Sequence, residues 1–161
     1  MEARMKNVIG KYPNVLKALR EFTSASDSGG VAPSTLEFIH LRASQINGCS
    51  VCVVMHAHGL KKLGESDDRI FAVAAWRDAP FFTDAERAAL ALTEAATRIS
   101  DRPDPVSDEI WDEAAKYYSE DALAQLLVHI AGINVWNRFN AATRQVAMSG
   151  QELEAMTAGR S

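Results

Sequence analysis

Apolar residues recur every three or four positions along most of this chain, which is the spacing of an amphipathic helix. The spacing predicts a first helix over about 12–24, with Pro13 in its first turn. The apolar face of that helix would comprise Val15, Leu16, Leu19 and Phe22. A loop rich in serine and glycine follows, and it is too short to link two domains.

A second helix is predicted to begin at Ser34, because Ser-Thr-Leu-Glu matches a capping box with Glu37 at its third position. One face of this helix would carry Glu37, His40, Leu41 and Ser44. This polar stripe is either solvated surface or the lining of a pocket. Antiparallel packing across the turn at 46–48 would place it beside the segment that follows.

Serine and threonine residues mark the starts of the later helices. These caps are Ser66, Thr83 (in a capping box with Glu86), Ser107 and Ser119. The last helix is predicted to run to about Met148, after which the tail, 151–161, would fray. No segment alternates apolar and polar residues as a strand does. We therefore predict an all-α fold of about six to seven helices in a single domain over 1–161, comprising a helix over about 12–24, a core over about 34–64 and C-terminal helices over about 66–148.

Composition and charge argue against some classes of binding partner. The chain has 161 residues, 47% of them hydrophobic and 24% charged, with a formal net charge of −4. Because it has no basic run, we expect neither nucleic acid nor a membrane as partner. The N-terminal residues lack the apolar core of a signal peptide, and no apolar run is long enough to span a membrane. The reducing cytoplasm is therefore the expected compartment.

The chain's two cysteines, Cys49 and Cys52, stand near the predicted start of a helix that would begin near 47–48 and continue through Leu63. Successive helical residues turn by about 100°, so both cysteines and His56 fall within roughly 60° of one another. His58 lies about 180° from Cys49 on the same helical wheel. His56 can therefore reach a thiol of its own helix, whereas His58 cannot.

A Cys-x-x-Cys pair at the first turn of a helix favours thiol redox chemistry, because the helix dipole, free backbone N–H groups and a neighbouring imidazole stabilise the thiolate. Cys52 is the expected nucleophile, since His56 follows it at i+4. Cys49 would then resolve the oxidised sulfur by closing a disulfide. In the cytoplasm the pair would rest as a dithiol.

Other interpretations of the pair compete. Buried cysteines are often merely small apolar residues. Zinc could take Cys49, Cys52 and His56 as ligands, with a fourth from His40, His129 or a carboxylate. A purely structural disulfide is disfavoured, because so short a loop removes little entropy from the unfolded chain.

The last helix carries a polar and aromatic set on an otherwise apolar sequence. Its members are His129, Asn134, Trp136, Asn137, Arg138 and Asn140. They would face the pocket or a partner subunit, although His129 could equally be a satisfied core histidine. Trp76 and Trp136 serve equally well as core or as interface residues.

One arrangement resembles a known family. Eleven residues separate Glu37 from Cys49-Ser-Val-Cys52, and three more separate Cys52 from His56. Together with the preceding LRASQINGC and the later INVWNRFNAATR, this pattern is similar to the AhpD-like branch of the carboxymuconolactone decarboxylase family. The resemblance covers the chain from about Tyr12 to Arg144.

The resemblance implies an all-helical fold, a homo-oligomer such as a trimer or hexamer, and reduction of alkyl hydroperoxides without a bound cofactor. It implies that Cys52 attacks the peroxide, that Cys49 resolves, and that His56 and Glu37 relay the proton. An external dithiol, lipoyl or thioredoxin-like, would restore the thiols.

One position departs from the family pattern. The characterised alkylhydroperoxidase of the family has a histidine just before its second cysteine, where this chain has Val51. His40 is a candidate substitute on the neighbouring helix. The alternatives from other classes are a lyase acting on a lactone acid, a redox-switch binding module and a structural zinc site.

Overall fold

Helices account for the regular structure of this protein. The computed structural model describes residues 1–101 and 103–158, and the side chains among them up to 155. Eight α-helices lie in that part of the chain: α1 (Pro13–Ser24), α2 (Pro33–Ile46), α3 (Ser50–Lys62), α4 (Asp67–Ala72), α5 (Asp84–Thr97), α6 (Asp108–Ala115), α7 (Glu120–Ala142) and α8 (Gly150–Ala158). No strand occurs in the described residues, so the predicted all-α class is confirmed.

Helix α2 is the centre of the fold and packs against α3, α5 and α7. Its Phe38 and Leu41 join Leu60 of α3 and Leu90 of α5 in one apolar cluster. Its Ile39 joins residues of α5, α6 and α7 in another. These side chains are almost completely buried. Because each fully buried side chain of this size contributes about 1.5–3 kcal/mol, α2 is firmly fixed before any polar contact is considered.

Several helix starts agree with their predicted caps. Thr83 and Glu86 form the reciprocal bonds of a capping box at α5, and Ser66 and Ser119 accept backbone N–H groups of the first turns of α4 and α7. The capping box predicted at Ser34 is wrong. Helix α2 begins at Pro33, which has no N–H to cap and a backbone angle already suited to a first turn.

The end of the last predicted helix is also wrong. Helix α7 ends at Ala142, not near Met148, because Arg144 adopts a left-handed conformation with φ of 52°. The tail predicted to fray forms α8 instead. Reciprocal hydrogen bonds between Ser149 and Glu152 cap that helix, and the sequence Ser-Gly-Gln-Glu was their visible signal. Residues 159–161 of the predicted tail lie outside the described residues.

A tight turn joins α2 to α3 and positions the cysteines. Gly48 has φ of +66°, which glycine adopts without strain, and the Cys49 N–H donates to the Ser44 carbonyl. The side-chain amide of Asn47 donates to Asn134 at 3.0 Å and to Asn137 at 2.9 Å, both on α7. The turn is thereby tied to the longest helix of the molecule.

Within the described part of the chain, none of the helices has the length and hydropathy needed to cross a membrane.

Candidate active site

Cys49 and Cys52 are joined by a disulfide at the N-terminus of α3, with their Cα atoms 5.4 Å apart. The helix begins at Ser50, two to three residues later than predicted, because the left-handed Gly48 and the extended Cys49 precede it. Cys49 is the N-cap, and its sulfur accepts the Cys52 N–H at 3.3 Å. Both sulfurs therefore lie at the positive end of the helix dipole, where a thiolate is stabilised.

The sulfur pair lies on an apolar floor formed with Ala43 and Ile133. Cys49 and Cys52 are only 1% and 3% exposed. From α7, the Asn140 amide donates to the Cys52 sulfur at 3.4 Å. In the sequence, Asn140 is one member of a polar set on that helix, and spacing alone does not indicate which member meets the cysteines.

A pocket of about 180 Å³ opens beside the pair. Its lining includes Cys49, Ser50, Asn140 and Arg144. Cys49 thus borders the opening directly, and an amide and a guanidinium group line the same opening.

His56 and Glu37 meet across the α2–α3 interface. The distance from His56 Nδ1 to Glu37 Oε2 is 2.8 Å. Burial alone would raise the pKa of Glu37, but His40 and His56 lower it to about 2. A charged carboxylate only accepts, so Nδ1 of His56 donates and its Nε2 keeps a lone pair when the ring is neutral. Among the described residues, no hydrogen bond joins His56 to either sulfur in this disulfide form.

Gly59 makes room for the Glu37 carboxylate. A Cβ atom at position 59 would lie 2.5 Å from Glu37 Oε2. Because any larger residue would displace the carboxylate from His56, Gly59 belongs to the site, although it was not among the site residues predicted from the sequence. The signal was a glycine inside a helical pattern.

His40 and His129 extend the contacts of Glu37 to helix α7. His40 Nδ1 lies 3.8 Å from Glu37 Oε1, and His40 Nε2 lies 3.1 Å from His129 Nδ1. His129 Nε2 is 3.7 Å from Asp27. Across the residues that the structure describes, His40 Nδ1 and His129 Nε2 are buried without a hydrogen-bond partner. His129 is therefore a buried histidine with a hydrogen bond to the described residues at only one of its two ring nitrogens.

Burial keeps these two rings neutral. It lowers the pKa of His40 to about 4, assisted by His56 and His129 and opposed by Glu37. It also lowers the pKa of His129, against the opposing influence of Asp27 and Glu37. His58 takes no part: its ring lies against Gly150 of α8, where a Cβ would come within 2.3 Å of it.

The zinc set considered from the sequence is not available in this form, because the two sulfurs are bonded to each other. Glu37, His40 and His56 remain as possible ligands. One ligand atom from each lies within 4.8 Å of the others.

This chain is similar to one protein family and to two bacterial proteins. The model of the carboxymuconolactone decarboxylase family matches residues 13–95. The uncharacterised protein YdfG of Bacillus subtilis is 33% identical over 137 residues, covering 85% of this chain and 92% of YdfG. YnjA of Escherichia coli, also uncharacterised, is 34% identical over 110 residues, covering 68% of this chain and 59% of YnjA.

Solved structures share the fold. ATU0492 of Agrobacterium tumefaciens, a protein of unknown function with a suggested role as the antioxidant defence protein AhpD, superposes with a TM-score of 0.84 at 30% identity, covering 92% of this chain and 99% of that one. A cysteine-to-alanine variant of the debrominase Bmp8, in complex with 2,3,4-tribromopyrrole, superposes with a TM-score of 0.76 at 27% identity. The superposition covers 88% of this chain and 74% of the Bmp8 chain.

Proposed function

Because the chain belongs to the carboxymuconolactone decarboxylase family, we propose that it is a thiol-dependent peroxidase of the AhpD-like type. The observation that carries the proposal is the Cys49–Cys52 pair at a helix N-terminus, with the Glu37–His56 dyad on the same helix pair. The pair stores two electrons, and the dyad supplies a base one helical turn from Cys52.

The first half of the reaction oxidises Cys52. His56 Nε2 accepts the thiol proton while charged Glu37 stabilises the imidazolium. The thiolate attacks the distal oxygen of the hydroperoxide, the O–O bond breaks, and the leaving alkoxide takes the proton from His56. The products are an alcohol and a sulfenic acid on Cys52.

The second half closes the disulfide. The Cys49 thiolate attacks the Cys52 sulfur, and the sulfenic oxygen leaves as water with the proton of Cys49. An external dithiol, lipoyl or thioredoxin-like, then returns two electrons and two protons. We expect this cycle to run in a reducing cytoplasm, in a homo-oligomer such as a trimer or hexamer, without a bound cofactor.

Val51 leaves the relay without the histidine that the characterised alkylhydroperoxidase of the family carries between its cysteines. His40 does not replace it in our scheme, because its two ring nitrogens face Glu37 and His129. Proton transfer from Cys52 therefore depends on His56.

The opposite order of attack has one observation in its favour, since the pocket borders Cys49. Cysteine variants discriminate the two orders. With cumene hydroperoxide and dithiothreitol, Cys52→Ser should abolish peroxide consumption. In Cys49→Ser that has been reduced and then freed of dithiothreitol, one equivalent of cumene hydroperoxide should leave a sulfenic acid on Cys52, visible as an added oxygen by intact-protein mass spectrometry. The reverse pattern would support attack by Cys49, and wild-type activity in both variants would exclude a thiol mechanism.

A second candidate is reductive dehalogenation, which is favoured by the likeness to Bmp8. Replacing a ring bromine by hydrogen also takes two electrons, which the same pair could supply. Turnover of tribromopyrrole, with cumene hydroperoxide consumption at background, would favour this candidate over the peroxidase. A decarboxylating lyase has less support, because that reaction does not require a cysteine pair.

A further inference from the structure

Three potential metal ligands converge between α2 and α3. Glu37 and His40 are one turn apart on α2, in the Glu-x-x-His spacing that helical bundles use to direct two ligands to one point. His56 of α3 completes the set, and its ring centre lies 4.8 Å from that of His40. The arrangement of two imidazoles and one carboxylate suits zinc and related divalent ions.

His40 Nδ1 is an independent sign of a cation site. The atom is buried, makes no hydrogen bond to the part of the chain that the structure describes, and faces Glu37 Oε1 at 3.8 Å. His40 and His129 share one hydrogen between Nε2 and Nδ1. If that hydrogen is on His40, the lone pair of its Nδ1 points towards a carboxylate, and two acceptors confront each other.

In this tautomer the contact between His129 and Asp27 is electrostatically favourable. His129 then carries its own hydrogen on Nε2, directed towards the charged Asp27 at 3.7 Å. The opposite tautomer would direct the His40 Nδ1 hydrogen towards Glu37 and leave a bare His129 Nε2 facing the Asp27 carboxylate. The first tautomer is the one that offers the His40 lone pair to a cation, with His129 and Asp27 placed as the outer-shell partners of a metal-bound histidine are.

We propose that Glu37, His40 and His56 bind a divalent transition-metal ion of the zinc class, with His129 and Asp27 as outer-shell partners. Zinc holds nitrogen and oxygen ligands at about 2.0–2.2 Å, hence roughly 3–4 Å from one another, so the three side chains need only small rotations from their present separations. The ion takes up the lone pair of His40 and the charge of Glu37. It displaces the proton that His56 shares with Glu37.

The consequence for catalysis rests on the proposed function. A metal ion on Glu37 and His56 occupies the groups that would deprotonate Cys52, so the bound ion inhibits the peroxidase reversibly. The site thus gives the thiol pair an inhibitor that does not touch sulfur.

The binding test uses the full-length disulfide form, in which neither sulfur can bind metal. Calorimetric titration with Zn²⁺ should show one site per chain, and Co²⁺ should give visible d–d absorption bands. We expect His40→Gln and Glu37→Gln to abolish the Co²⁺ bands, and His129→Ala to weaken Zn²⁺ binding by about 10–100-fold. His58→Ala is the matched control, since that ring faces α8, and it should bind as the wild type does.

Absence of Co²⁺ bands in the wild-type protein overturns the site whatever the variants do, and so does unchanged binding in His40→Gln. The inhibition is tested separately on the reduced protein by adding Zn²⁺ and then a chelator. Peroxide turnover that persists at saturating zinc overturns the inhibitory role. Binding without any peroxide turnover would leave the metal site standing and reject the peroxidase.

Discussion

Two carboxylates, the partly buried Glu37 of α2 and the buried Glu94 of α5, are held in opposite ways. Glu94 of α5 accepts from Trp76 Nε1 at 2.9 Å, from Arg42 Nε at 2.7 Å and from Arg77 Nη1 at 2.6 Å. Glu37 accepts from His56 at 2.8 Å and otherwise faces His40 at 3.8 Å. Burial would raise the pKa of either group, yet their partners lower both.

The difference lies in the donors. Indole and guanidinium groups keep their protons at any physiological pH. Glu94 therefore holds α5 permanently to α2 and to the segment that carries Trp76 and Arg77. Histidines gain and lose protons and accept metals, so Glu37 stays available for chemistry. Equal charge and a similar lowering of the pKa therefore do not imply equal roles. The nature of the donors separates a structural carboxylate from a reactive one.

The largest effect should follow loss of charge at Glu37. Glu37→Gln keeps the shape but cannot stabilise an imidazolium on His56, so oxidation of the reduced protein by cumene hydroperoxide should slow by about 10²–10⁴-fold. Stopped-flow fluorescence would measure the rate. Glu94→Gln is the matched control and should react at the wild-type rate. An unaltered rate in Glu37→Gln would remove Glu37 from the mechanism.

Truncation at Glu94 should affect stability instead. Glu94→Ala leaves the buried Trp76 N–H and the Arg42 guanidinium without their acceptor, which should cost about 3 kcal/mol of unfolding free energy. Urea denaturation measures it. Glu21→Ala, which removes an exposed pair with Lys17, should cost less than about 1 kcal/mol. If Glu94→Ala were no more costly than this control, the comparison would fail.

A smaller change can move the Glu37 carboxylate without altering it. In Gly59→Ala the new Cβ meets Glu37 Oε2, the flexible end of a side chain, so the carboxylate shifts and the fold survives. We expect the peroxide reaction to slow by up to about 100-fold. The free energy of unfolding should stay the same or rise by about 0.5–1 kcal/mol, because alanine is more favourable than glycine inside a helix. Gly132→Ala, which meets Thr23 on α1 instead, should retain the rate.

The smallest effect should appear in the pH dependence of stability. The folded pKa of Glu94 lies below its ordinary value of 4.5, so the unfolded chain binds a proton there first as the pH falls. Its contribution is complete above pH 4.5 and is lost as the pH falls through the folded pKa. Acid titration of the unfolding free energy should therefore be shallower below pH 4.5 in Glu94→Gln than in the wild type. Parallel curves would show that Glu94 is not selectively stabilised in its charged form.

The fold class and most helix starts could be predicted because their signals are local. A cap and its partner lie three residues apart, as at Thr83 and Glu86, and the chain alone contains the information. At α2 the same reasoning failed, since a proline can begin a helix without a cap and Glu37 has its partner on another helix. The end of α7 had no residue signal, because the left-handed residue there is an arginine.

The site was predictable as far as helical spacing and family resemblance extend. They indicated Cys49, Cys52, His56 and Glu37, and the structure brings Glu37 to His56 and Cys49 to Cys52. Spacing could not reveal that His129 meets His40 across 89 positions of sequence. Asp27 and Gly59 were missed for the same reason, since packing alone decides what they touch.

The turn that joins α2 to α3, and that is hydrogen-bonded to α7, can also be modified slowly by deamidation. Asn47 precedes Gly48, and asparagine followed by glycine is the pair most prone to lose its amide nitrogen with age. An aspartate there could no longer donate to Asn134 and Asn137, so the two bonds that anchor the turn would be lost together. The damage would begin two residues from Cys49. Slow deamidation would therefore loosen the turn that positions the cysteine pair, without any oxidation of its sulfur atoms.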